Sequence, residues 1–217
     1  MSLRDENRNF IAKKIASYFK DGDVVNLGVG VPMLVANYLS DDVAVQTENG
    51  ILGYGRIIGG NDPKEPYFNA AGITVELVTG ASCFGMCTSF GMIRRGRIKT
   101  AVLGCFEVSQ YGDLANWARP GSYPGMGGAM DLVSGIDNII IATDHCTKDG
   151  APKILEECTL PLTGVKVARS IVTELAVFTI NKETGLKLRE RRDGVSIAEI
   201  REKTGAPFEV DPQIKIM

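Results

Sequence analysis

The chain has 217 residues, 44% hydrophobic and 23% charged, with a formal net charge of −2. That is the balance of a globular domain with a sizeable core, and it excludes the strong basic excess of a nucleic-acid binder. No apolar stretch reaches membrane-spanning length, and the polar opening MSLRDENRNFIAKKIASYFKDGD lacks the apolar centre of a secretion signal.

The elements follow in chain order. Phe10, Ile11, Ile15 and Phe19 recur at helical spacing and predict a helix across 5–20, stopped near Gly22. DVVNLGVGVP predicts a short buried strand running into a glycine turn, with Pro32 opening a helix through Tyr38. VAVQT and ITVELV predict strands, SFGMIRRG the end of a helix, IKTAVLG a strand, AMDLV a helix and NIIIAT a fully buried strand. ELAVFTI and GLKLRE predict a pair joined by the turn NKETG. Ser196-Ile-Ala-Glu199 has the form of a capping box before a last short helix. Alternating strands and helices predict an α/β fold with a mostly parallel or mixed sheet flanked by helices, and a strand-rich C-terminal part. No linker or internal repeat divides the chain, so residues 1–217 read as one domain.

Cys83, Cys87, Cys105, Cys146 and Cys158 include no Cys-x-x-Cys pair, predict no disulfide framework and suit a reducing cytoplasm. His145-Cys146 lacks a second pair of ligands, so no metal is expected. Of the 25 glycines, eleven gather in three knots: Gly28/Gly30, Gly50/Gly53/Gly55/Gly59/Gly60 and Gly121/Gly125/Gly127/Gly128. Such knots suggest loops whose backbone approaches a ligand. The run from Arg94 to Lys99 reads as a solvated helix end or a phosphate contact.

Three stretches carry candidate chemistry. Gly28-Val-Gly30 begins like a dinucleotide fingerprint, but Met33 replaces the third glycine, so it reads as a tight turn lining another site. In TENG, a lone carboxylate, Glu48, stands where a predicted strand ends and the turn dipeptide Asn49-Gly50 begins. A solvated turn is one reading; the carboxyl end of a strand, where α/β sheets bind ligands, is the other. YGDLANWARPGSYPGMGGAMDL, residues 111–132, is either an elaborate surface loop anchored by Trp117 or, through GMGG ahead of a helix, an anion-binding nest of N–H groups.

Taken together and in order, LGVGVP, TENG, YGDLANW and GMGGAMDL resemble the β subunit of family I coenzyme A transferases, nearest the bacterial acetate/butyrate–acetoacetate and 3-oxoacid enzymes. DHCTKDGAPKIL and TELAVF extend the resemblance over residues 5–210. It implies that Glu48 is the catalytic carboxylate, that Gly128 supplies a backbone oxyanion contact, and that Gly28, Gly30, Asn49, Gly50 and Gly127 line the substrate site. It implies no tightly bound cofactor: coenzyme A is substrate and transient covalent adduct. The implied partner is a CoA-transferase α subunit in a hetero-oligomer of α2β2 type, and the implied substrates are an acyl-CoA and a short-chain carboxylic acid. Thr47 stands where the family often has Ser, which keeps a hydroxyl. The animal 3-oxoacid enzymes have a Lys near the position of Ile73; its absence here favours acetate, butyrate or acetoacetate. A non-catalytic ligand sensor or a sugar-phosphate isomerase on a similar scaffold would be the alternatives; neither requires Glu48 to become acylated.

Overall fold

The computed structural model describes residues 2–58, 66–123 and 125–217. Gly59 and Gly60 of the second glycine knot lie outside the described residues.

Helix α1 spans Leu3–Ala16, shorter and earlier than the spacing predicts. Its start is set by a capping box: Ser2 Oγ accepts from Asp5 N–H at 3.2 Å, and the Asp5 carboxylate accepts from Ser2 N–H at 3.1 Å. The chain leaves the helix at Ser17, and Gly22, at φ 87°, serves the following turn. A 3₁₀ helix covers Val31–Tyr38 with Pro32 in its first turn. The remaining helices are α2 Met86–Arg94, α3 Ala129–Gly135 and α4 Ile197–Lys203. At α4 only half of the expected box forms. Ser196 Oγ accepts from Glu199 N–H at 3.1 Å, while the Glu199 carboxylate accepts from Lys203 at 2.7 Å.

The strands are β1 Val24–Leu27, β2 Ala44–Thr47, β3 Ile51–Ile57, β4 Val75–Cys83, β5 Thr100–Leu103, β6 Glu107–Ser109, β7 Leu114–Ala115, β8 Asn138–Ala142, β9 Ile154–Leu155, β10 Ala168–Val172, β11 Ala176–Asn181, β12 Gly185–Arg191 and β13 Phe208–Ile216. Ten of them form one mixed sheet in the order β13-β12-β11-β10-β8-β5-β1-β2-β3-β4. The run from β10 to β2 is parallel, and antiparallel pairs extend it on both sides. A second sheet, β7-β6-β9, is built from the loops beyond β5 and β8.

Alternation along the central strands explains the core. Val25, Val45, Val102 and Ile140 join Ile11, Ile15 and Val35 in one buried cluster, under α1 and the 3₁₀ helix. Ala101, Leu103, Ile139 and Ile141 belong to the other, with Ile93, Leu132 and Ile200 from α2, α3 and α4. Both faces are covered, so the inner strands read as continuous apolar runs.

Three strands of the large sheet escape the sequence reading. In β3, Gly53 and Gly55 hide the alternation; Gly53 has φ 92° and lies at a register shift against β4. In β10, Arg169 and Ser170 interrupt the apolar run. In β13, Pro212 interrupts an otherwise alternating pattern and is tolerated because the strand is at the sheet edge. Among the described residues no helix is long and apolar enough to cross a membrane.

Candidate active site

Parallel strands β1 and β2 end side by side, in the register Asn26↔Gln46. Beyond β1, Gly28 N–H donates to Val102 O at 2.8 Å, and a Cβ at Gly28 would meet Val102 O and Leu103 Cδ2 at 3.2 Å each. The chain passes so close to β5 that a side chain would push it away. Beyond β2, Glu48, Asn49 and Gly50 make a turn closed by Gly50 N–H on Thr47 O at 3.0 Å, and β3 returns antiparallel with Thr47 opposite Ile51. Glu48 therefore projects from a hairpin at the carboxyl edge of the sheet, rather than from a strand-to-helix loop.

That turn is tied down on two sides. Gly50 has φ 118°, and a Cβ there would drive into the carbonyl oxygen of Phe84, whose N–H donates to Gly50 O at 2.9 Å. Only glycine fits. On the other side, Asn49 Nδ2 donates to Phe68 O at 2.8 Å, Ala70 N–H donates to Thr47 Oγ1 at 3.0 Å, and the Thr47 hydroxyl donates to Asn49 Oδ1. The hydroxyl at position 47 thus fixes the 68–72 segment over the turn. A cavity of ≈ 60 Å³ lies between, lined by Glu48, Gly28, Asn26, Met33, Asn69 and Ala70 among others.

The fourth motif reaches the same carboxylate. Gly128, the N-cap of α3, is buried and lies against the Glu48 carboxylate, whose ionised form its N–H favours. A Cβ on Gly128 would stand only 2.5 Å from Glu48 Cδ and 2.7 Å from Oε1. Its φ of −78° and ψ of −4° are ordinary helical values, so the requirement for glycine here comes from the carboxylate and not from the backbone. Gly127 differs: φ is 53°, nothing lies near its missing Cβ, and it is exposed. It shapes the bend that aims the next N–H. Gly30, at φ 91°, caps the 3₁₀ helix and faces open space.

Burial pushes the Glu48 carboxyl above its ordinary pKa; the Gly128 N–H pulls it back, and the Asp131 carboxylate on α3 adds to the rise. Asp131 is itself held by Arg94 at 2.6 Å, which gives that arginine of the basic run a structural partner. The half-buried carboxylate, poorly hydrated and facing a fixed donor, is equipped for attack on a carbonyl.

The other candidates fall elsewhere. His145 is fully buried, with Nδ1 2.9 Å from Thr173 Oγ1 and Nε2 3.0 Å from Thr204 Oγ1. Thr204 donates its own proton to Ile200 O at 2.6 Å, so Nε2 carries the hydrogen and the neutral ring pins two loops. Cys146 Sγ points to Lys203 O at 3.7 Å. Trp117 is half-buried, with Nε1 donating to Leu162 O at 3.2 Å, and anchors the loop around β7. Sequence reasoning missed Asn26, Gln46 and Ser89, buried polar residues beneath the turn; the signal was a lone amide at the third position of each of two short apolar strands.

The chain matches the family model described as coenzyme A transferase over residues 9–203. It is 45% identical, over 99% of its length, to the mitochondrial succinyl-CoA:3-ketoacid coenzyme A transferase 2A of Rattus norvegicus, but spans only 42% of that relative. Against the acetate CoA-transferase subunit beta of Escherichia coli it is 45% identical, and the match covers 92% of each chain. An acyl-CoA transferase from E. coli O157:H7, solved as a thioester complex with CoA, superposes with a TM-score of 0.75 at 22% identity over 97% of this chain and 43% of that one; this likeness shows the shared fold. With LGVGVP, TENG and GMGG gathered on one carboxylate, these matches establish that the chain belongs to the coenzyme A transferase family.

Proposed function

We propose that the chain is the nucleophile-bearing subunit of a coenzyme A transferase, moving CoA between a short-chain acyl-CoA and a carboxylic acid of the acetate, butyrate or acetoacetate class. The observation that carries this is the half-buried Glu48 carboxylate held against the Gly128 N–H. A Glu48 oxygen attacks the thioester carbonyl, the C–S bond breaks, and an acyl-glutamyl anhydride and CoA thiolate result. The thiolate adds to the glutamyl carbonyl, the anhydride C–O bond breaks, and the free acid leaves. Glu48 then carries CoA as a thioester, and a second carboxylate reverses both steps. The acyl energy is conserved in each exchange, so the kinetics are ping-pong and no nucleotide is consumed.

The contact with Gly128 is made to the glutamyl carboxylate itself. It therefore serves the steps in which the tetrahedral centre forms on Glu48. A backbone donor aimed at a developing oxyanion is worth roughly 2.7–4 kcal/mol. The buried surroundings that raise the Glu48 pKa also keep water from the anhydride.

A partner subunit completes this reading. Apolar side chains stand exposed beside the site: Val29 next to Gly28, Phe68 above Asn49, Met86 beyond Phe84, and Met130 two residues after Gly128. Such a rim is suited to burial by another chain, and an α subunit covering it would enclose the carboxylate. The relative from E. coli is named a beta subunit, in keeping with a separate α chain. A cytoplasmic location fits the five free cysteines.

The test is chemical. Incubate the complex of this chain and its partner with acyl-CoA, digest it, and examine the Glu48 peptide by mass spectrometry, with borohydride as a trap. The expected result is a CoA thioester on Glu48, cleaved by borohydride to the alcohol. An unmodified Glu48 in a complex that still transfers CoA would overturn the mechanism.

A further inference from the structure

Three polar side chains sit beneath Glu48 and take no part in the chemistry above. Asn26 in β1, Gln46 in β2 and Ser89 in α2 are 2%, 0% and 0% exposed. They form one chain of hydrogen bonds. Asn26 Nδ2 donates to Gln46 Oε1 at 2.6 Å, Gln46 Nε2 donates to Ser89 Oγ at 2.6 Å, and Ser89 Oγ donates to Thr47 O at 3.2 Å. The direction of the chain is fixed by its end. A backbone carbonyl only accepts, so the serine proton goes to Thr47 O and the serine oxygen must accept from the Gln46 amide. Asn26 Nδ2 is pinned in the same sense, because it also reaches Gln46 O at 3.3 Å. The chain then runs out: Asn26 Oδ1 is buried without a partner.

An interior built this way is costly. A buried acceptor without a donor loses its hydration, and a well-packed apolar set of the same shape would avoid that loss. The arrangement orders one thing: the carbonyl of Thr47, the residue before the nucleophile. That oxygen accepts twice, from Ser89 and from Gly50 N–H at 3.0 Å. The two bonds hold both the start and the close of the turn from which Glu48 projects.

The helix that carries Ser89 also holds the oxyanion donor's helix. Arg94 of α2 pairs with Asp131 of α3 at 2.6 Å. A Cβ on Gly135 of α3 would stand 2.7 Å from Ile93 O of α2, so the two backbones are in direct contact. Gly128 caps α3. Helix α2 is therefore the common strut for the nucleophile and its donor.

We propose that Ser89 is a positioning residue for Glu48: oriented by Gln46 and Asn26, its hydroxyl holds the Thr47 carbonyl and so sets the carboxylate in line with the Gly128 N–H. The inference rests on the CoA-transfer reading. It predicts that loosening Ser89 affects the chemical step and the ionisation of Glu48 without affecting acyl-CoA affinity. The charged group acting on Glu48 is Asp131, paired to Arg94, and the neighbouring Gly128 N–H favours its ionised form. Since burial is the largest cause of the raised Glu48 pKa, a turn that swings outward lowers it.

The experiment compares Ser89→Ala, Ser89→Cys and Ser109→Ala in the complex with the partner subunit. Ser109 is equally buried, but its hydroxyl bonds within its own loop, to Asp113 and Tyr111, and it is the control for losing a buried serine. Ser89→Ala should lower kcat about tenfold, the worth of one hydrogen bond held through the chemical step, with KM for acyl-CoA unchanged. The acidic limb of the pH–rate profile should move toward the ordinary carboxylate range. Ser89→Cys, which keeps the shape with weaker bonds, should fall between, and it decides the matter if Ser89→Ala does not fold. Ser109→Ala should lower thermal stability and leave kcat and the limb in place. A folded Ser89 variant that melts early yet keeps wild-type kcat and pH profile overturns the proposal. Absence of the Glu48–CoA adduct in the wild-type complex would instead refute the transferase reading, and is scored separately.

Discussion

Replacing Gly128 by alanine separates a catalytic requirement for glycine from a conformational one. The backbone at 128 is right-handed helical, φ −78° and ψ −4°, so alanine enters without strain. The new methyl would lie 2.5 Å from Glu48 Cδ, whereas ordinary contact begins at 3.4 Å, so the carboxylate must retreat by about 0.9 Å. Glu48 is a flexible side chain and can retreat, so the protein should fold. The remaining structural cost is the poorer N-cap, at most about 1 kcal/mol. The catalytic cost is larger, because a misplacement of about 1 Å removes roughly 10²-fold in rate, or about 2.7 kcal/mol of transition-state stabilisation. Steady-state transfer between acyl-CoA and acetate, followed by CoA-ester chromatography, gives kcat and KM; circular dichroism and a melting curve check the fold. Two further variants frame the result. Gly91→Ala, inside α2 with open space around the missing Cβ, should leave kcat unchanged. Gly127→Ala should show the opposite pattern to Gly128→Ala, because φ 53° forces alanine into the left-handed region at a cost of about 1–2 kcal/mol in stability, while no atom obstructs the methyl. A folded Gly128→Ala enzyme with kcat within threefold of wild type would refute the placement of this N–H against the reacting carboxylate.

Two predictions concern protons. In the proposed mechanism Glu48 attacks in its ionised form, and burial and Asp131 both raise its pKa, so activity should fall on the acid side at a pH above the ordinary carboxylate range. Asp131→Asn removes one of the raising charges and should shift that limb to lower pH; a shift upward would contradict the assignment. The second is a stability effect at His145, whose pKa is lowered from 6.5 to about 4 by burial and by the Lys203 charge. Between those values the unfolded chain binds the extra proton, so His145 stabilises the fold fully above pH 6.5, and this contribution is lost as pH falls toward 4, by about 3 kcal/mol in all. Denaturant midpoints from pH 7 to 4 should show the loss in wild type and a reduced slope in His145→Gln; equal slopes would remove His145 as the source.

Much of the architecture was legible because both faces of the sheet are covered. The apolar runs at Val24, Ala44, Thr100 and Asn138 and the helical spacing in α1 require only local periodicity. The parts that were not legible depend on tertiary contacts. Strand β3 looks like loop because its glycines satisfy a bulge and the close approach of Val78 and Ala81, a demand that exists only once β4 is beside it. The small sheet β7-β6-β9 draws very short segments from loops far apart in sequence, too short to show any period.

The site shows the same division at finer scale. Glu48 was conspicuous as a lone carboxylate at a strand end, and GMGG as a helix start rich in glycine, yet nothing in either segment says that they meet. Nor does the sequence distinguish a glycine chosen for φ from one chosen for space: Gly127 and Gly128 are adjacent and identical in type, but one bends the chain and the other yields room to a carboxylate. What could have been read is the anomaly in the strands. VVNL and AVQT each place an amide where a doubly covered parallel strand needs an apolar residue. Such an amide must find partners inside, and two of them at the same register on neighbouring strands find each other. The pair then needs a third partner, which the strands cannot supply and α2 does, through Ser89. A polar residue in the middle of a short buried strand, next to a candidate nucleophile, thus points to a support for that nucleophile even before the helix that completes it can be identified.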